Sequence, residues 1–131
     1  MAFHHAVVWI DHREAHIIHF NAEDSTVEIV KTHSKQAHLH HHSGTLGSGK
    51  APTDHTFLHE VVENMADAAE ILVVGPGSAK LELIKHVHTH DPAISDNILG
   101  VETVDHPSDP QVLAYAKKYF LKVDNLRGDR F

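Results

Sequence analysis

Along the first quarter of the chain, hydrophobic positions run together or alternate with polar ones, and neither habit is helical. "AVVWID" (Ala6–Asp11) and "AHIIHF" (Ala15–Phe20) are rich in β-branched and aromatic residues, with only "HRE" (His12–Glu14) between them. They read as an antiparallel hairpin. "NAEDS" (Asn21–Ser25) has the chemistry of a turn, and "TVEIVKT" (Thr26–Thr32) alternates as a third strand should. From His33 to Pro52 the period disappears into His, Ser, Gly, Lys and isolated aliphatics. So long a stretch without structure is uncommon in a compact domain, and such loops are usually functional or disordered.

After Pro52 the period changes to that of a helix. Thr53 or Asp54 is placed to cap it, and Phe57, Leu58, Val61, Val62, Met65 and Ala69 fall on one stripe. "ILVV" (Ile71–Val74) is the continuous apolar run of a strand covered on both faces. "GPGS" turns the chain, and Ser78 is placed to cap a helix over "AKLELIKHVHTH" with Leu81, Ile84 and Val87 facing inward. Asp91 and Pro92 begin a short helical extension. "GVETVD" (Gly100–Asp105) is a fifth strand. Asp109 and Pro110 then start a last helix, which buries Val112, Ala116, Tyr119 and Phe120 before the aperiodic "LRGDRF".

The order β-β-β-loop-α-β-α-β-α predicts an α/β domain with a mixed five-stranded sheet and three main helices, the element order of ribonuclease-H-like folds. At 131 residues, 41% hydrophobic, residues 1–131 are expected to form one domain carrying a flexible loop at 33–52. There is no cysteine, hence no disulfide framework and no thiolate metal site. With no long apolar run and no secretory leader pattern at the start, a cytoplasmic protein without a membrane partner is expected. Three helices serving five strands leave part of a sheet face without cover, and a homodimer would supply it.

Charge alters the picture of partners. Eighteen acids against eleven bases give −7, which disfavours a broad nucleic-acid surface. The 16 histidines would carry that to +9 if all were protonated, so net charge responds steeply to mild acid. Most are expected at solvated positions.

Several motifs carry candidate chemistry. "GTLGSGK" (Gly44–Lys50) matches G-x-x-x-x-G-K, but Ala51 stands where a hydroxyl should bind magnesium, and the preceding strand ends some dozen residues earlier. It reads as a Gly/Ser connector. His38, His40, His41 and His42 could hold zinc or nickel in the manner of a purification tag. His55 with His59, and His86 with His90, each have helical i, i+4 spacing and could meet one ion. No organic cofactor is expected. A two-metal nuclease would need converging carboxylates, for which Asp11, Glu60, Glu63 and Asp105 are candidates. Asp11 is equally good turn chemistry. "VVGPGSAK" (Val73–Lys80) is a strand, glycine turn and helix start able to hold an anion, and equally an ordinary tight turn.

"VVGPGSAK", "GVETVDHP" and the three opening strands together resemble the middle domain of the eukaryotic and archaeal class-1 peptide-chain release factors. They are also similar to its small bacterial relatives, the translational machinery proteins. The likeness covers the whole chain by element order and is strongest from Ile71 to Phe120. In those factors the loop between the third strand and the first long helix carries a Gly-Gly-Gln tripeptide that serves peptidyl-tRNA hydrolysis. The matching region here, His33–Pro52, has neither adjacent glycines nor a glutamine beside them, Gln36 lying upstream. The resemblance therefore implies a non-catalytic, translation-associated domain. Its contact with ribosome or tRNA would run through the loop, with His40, His41, His42, Gly44, Gly47, Gly49 and Lys50 as contact residues.

Overall fold

The computed structural model describes residues 4–32 and 54–127. The loop at 33–52, with its histidine, glycine and lysine candidates, lies outside the described residues. Strands β1 (His5–Ile10), β2 (Glu14–Phe20) and β3 (Ser25–Lys31) form an antiparallel meander. β4 (Glu70–Gly75) runs parallel beside β1, and β5 (Ile98–Thr103) parallel beside β4, so the sheet order is β3-β2-β1-β4-β5. Helices α1 (His55–Met65), α2 (Ala79–His90), α3 (Pro92–Ser95) and α4 (Asp109–Arg127) complete the order.

The hairpin corners form because short polar side chains bond the backbone just ahead of them. Asp11 Oδ1 accepts from the amides of Arg13 (2.8 Å) and Glu14 (2.9 Å). Asn21 Oδ1 does the same for Glu23 (2.8 Å) and Asp24 (2.7 Å). Asp54 caps α1, its carboxylate accepting from Phe57 N at 3.0 Å. At α4, Ser108 and Gln111 form a reciprocal capping box, with Gln111 Oε1 accepting from Ser108 N at 2.9 Å and Ser108 Oγ from Gln111 N at 3.4 Å. The cap is therefore Ser108; Asp109 is the first helical residue, and its side chain is used elsewhere.

Alternation along β1 divides the core. Ala6, Val8 and Ile10 join Phe57, Val61 and Leu83 on the α1/α2 face. Val7 and Trp9 join Phe20, Leu72 and Phe120 on the α4 face. Each fully buried large side chain stabilises the fold by about 1.5–3 kcal/mol.

Three inward assignments change. Leu81 is 58% exposed and Leu83 is fully buried. Steps of three rotate a helix stripe backwards by about 60° each, whereas Ala79, Leu83 and Val87 advance in steps of four and stay on one face. Ala69 is exposed and Ala68 buried, because α1 ends at Met65 and the helical count no longer applies beyond it. Tyr119 is only partly buried, its hydroxyl reaching the Leu99 carbonyl at 3.2 Å. β5 begins two residues earlier than the apolar run suggests, since Ile98 already pairs with Ile71. Both sheet faces carry helices. The large apolar side chains left open on the sheet include Val27 (42%) and Ile29 (51%) of edge strand β3, opposite Ile18 and His16 on the α4 side.

Gly75 is required by a close approach: a Cβ there would stand 2.2 Å from the Ile10 carbonyl oxygen, while one on Gly77 would meet nothing within 4 Å.

Candidate functional site

In an open α/β sheet, ligand sites favour the carboxyl ends of the parallel strands. Here that end holds a cleft of about 480 Å³ lined by Val74, Val104, Asp105, His106, Gln111 and Tyr115. The linker from β5 to α4 forms one wall, tied down where the Trp9 indole N–H donates to the Asp105 carbonyl at 2.7 Å. The His106 ring lies 4.6 Å from that of Trp9, its Nε2 3.7 Å from Asp11 Oδ2. Tyr115 donates to Glu102, which pushes the phenol up to about 12.

Beside the cleft, His16 stands between two carboxylates, Nδ1 2.7 Å from Asp109 Oδ1 and Nε2 3.0 Å from Glu14 Oε2. Partial burial alone would lower its pKa; bonds to Glu14 and Asp109 and their charges outweigh burial, and the net shift is upward. Polar groups at this end thus bond chiefly to each other.

That geometry disfavours the nuclease reading. Asp11 is committed to its turn. Among the described residues, Asp11, Glu60, Glu63 and Asp105 form no trio of carboxylates within shared metal reach. At the glycine turn, Lys80, 7% exposed, bends back to donate to the Gly77 carbonyl at 2.5 Å.

The two i, i+4 histidine pairs meet across α1 and α2. The His86 ring lies 5.7 Å from His55 and 4.4 Å from His90. His86 is 8% exposed, and neither ring nitrogen has a hydrogen-bond partner. Burial first, then the neighbouring His90, His55 and His59, lower its pKa.

The amino ends of β1 and β4 hold a group that sequence reasoning missed. His4, His5 and Glu70 each offer one donor atom, and these atoms all lie within 4.8 Å of one another. His5 Nε2 is 3.1 Å from Glu70 Oε1, and His4 Nε2 is 3.8 Å from Glu70 Oε2. The readable signal was the pair "HH" at the head of one strand and a glutamate at the head of another, but only their pairing aligns the two.

An open mixed sheet in this order, with α1 and α2 on one face and α4 on the other, is the architecture of a release-factor-like α/β domain. Solved structures agree. Archaeoglobus fulgidus Pelota superposes with a TM-score of 0.64 at 17% identity, over 95% of this chain and 33% of that one. The archaeal translation termination factor aRF1 gives 0.55 at 13%, over 95% and 41%. S. cerevisiae Dom34, a translation termination-like factor involved in RNA quality control pathways, gives 0.58 at 9%, over 95% and 36%. The chain thus spans about a third of the length of such factors, and at these identities the likeness establishes the fold. No family model and no curated protein matches the sequence.

Proposed function

We propose that this domain works in translation, associating with the ribosome or tRNA without hydrolysing peptidyl-tRNA, and that the loop at 33–52 is its contact element. The observation that carries this reading is the fold likeness to Pelota and aRF1 over 95% of the chain. A second point supports it: β3 ends at Lys31 and α1 begins at His55, so along the chain residues 33–52 join the same two elements between which the resemblance puts the release-factor tripeptide. The tripeptide itself is absent from the sequence, which favours binding over hydrolysis. No helix among the described residues is long and apolar enough to cross a membrane.

Co-sedimentation with ribosomes tests this directly, comparing the full chain with one lacking residues 38–50. The full chain should appear in the ribosomal fractions and the deletion should be depleted from them. Full-chain absence would overturn the association, and equal binding would overturn the role of the loop. Sedimentation equilibrium decides whether the open Val27 and Ile29 side chains bring two copies together as a homodimer.

A further inference from the structure

We infer that His4, His5 and Glu70 form a binding site for one divalent transition-metal ion of the zinc class, at the amino ends of the paired strands β1 and β4. Three features carry this.

The donors converge. Around a tetrahedral ion with bonds of about 2.0–2.1 Å, ligand atoms lie roughly 3.3 Å apart. Here the two imidazoles flank one carboxylate at 3.1 and 3.8 Å, with all three donor atoms inside 4.8 Å. Either distance alone suits an ordinary ion pair. The three-way convergence is what an ion would use.

The donors are also held on rigid backbone. The amides of Ala69 and Glu70 both donate to the His4 carbonyl, at 2.9 and 3.0 Å, and His5 sits opposite Glu70 in the parallel ladder. The His5 ring is stacked 5.6 Å from Phe20 and lies 4.7 Å from Phe120, so its direction is set by the core of the α4 face. A flexible histidine loop has no such preorganisation, and ordering it would cost conformational entropy on binding.

Burial is graded. His5 is 7% and Glu70 15% exposed at the side chain, while His4 is 59% exposed. An ion would thus be shielded on the core side and reachable past His4, with a coordination position left for water. Two nitrogens and one carboxylate oxygen suit zinc or cobalt; magnesium and calcium prefer all-oxygen sets. The histidines around His86 lack this geometry, since no three of their nitrogens lie within 4.8 Å of one another.

The test uses the full chain with His38, His40, His41 and His42 replaced by alanine, so that the loop contributes no binding. Zinc is measured by competition with a chromophoric chelator, and cobalt by its visible absorption. One equivalent of zinc should bind, and the cobalt spectrum should be that of a four- or five-coordinate ion. His4→Ala, at an exposed side chain, and Glu70→Gln should each weaken binding by at least about tenfold. His55→Ala and His90→Ala should leave it unchanged. The inference is overturned if the chain binds no stoichiometric zinc, if His4→Ala and Glu70→Gln bind as tightly as their parent, or if zinc is lost with His55 or His90. Circular dichroism of each variant separates loss of a ligand from loss of the fold.

Discussion

The two ends of the parallel strands are built from the same residue types and use them in opposite ways. At the carboxyl ends, Asp11 closes a turn, Tyr115 bonds Glu102 and Asp109 holds His16 against Glu14. Each of these acids meets a donor at the same end of the sheet. At the amino ends, His4, His5 and Glu70 point their donor atoms at one locus. A cleft alone therefore does not identify a site: the end that holds it has Asp11, Glu102 and Asp109 tied to structural partners, and the opposite end gathers ligand atoms.

The sharpest way to break this contrast is Phe120→Ala. The ring is fully buried between Phe20 and His5, and its loss should cost about 3–5 kcal/mol by urea denaturation. It should also weaken zinc binding by freeing the His5 ring. An unchanged zinc affinity would mean that the core does not orient the ligand. Next in size is zinc itself. At a hundredfold its Kd the ion should stabilise the loop-substituted chain by about 2.7 kcal/mol, and the gain should vanish in His4→Ala. At the opposite end, Gly75→Ala forces a Cβ onto the Ile10 carbonyl and should destabilise by about 1–3 kcal/mol. Gly77→Ala, two residues on in open space, should change stability by less than about 0.5 kcal/mol.

Two histidines should divide the pH response. The folded pKa of His16 lies above its ordinary 6.5, so its contribution is complete below that value and is lost as pH rises through the folded pKa. For His86 the folded pKa lies below 6.5, so its neutral form favours the fold above that value, and this contribution is lost as pH falls through the folded pKa. Imidazole NMR titrations should place the two on opposite sides of 6.5, and His16→Asn should flatten the alkaline decline of the urea midpoint. A small effect is also expected at Tyr115→Phe: it deletes a bond at a residue 38% exposed and should cost less than about 1 kcal/mol by the same denaturation assay.

Much of the architecture was legible because it rests on local rules. The alternation in "TVEIVKT", the run "ILVV" and the turn residues Asp11 and Asn21 each specify their element whatever surrounds them. Leu81 and Ala69 were misplaced because a hydrophobic count cannot say which of two adjacent stripes faces the sheet, nor where a helix stops. Asp109 looked like a cap, since Asp-Pro suits a helix start. Ser108 with Gln111 satisfies that start instead, and Asp109 is left to bond His16.

By itself, then, the sequence determined the order of strands and helices, the lost magnesium position of "GTLGSGK" and the absence of the hydrolytic tripeptide. Each depends on which residues stand near one another along the chain. Tertiary structure alone decided which histidines and acids meet. Glu70 is more than sixty residues from His5, and only the parallel pairing of β1 with β4 brings them to 3.1 Å. His55 likewise meets His86 only because α1 and α2 pack on the same sheet face. Converging donors are set by strand register and helix packing, which no spacing along the chain encodes.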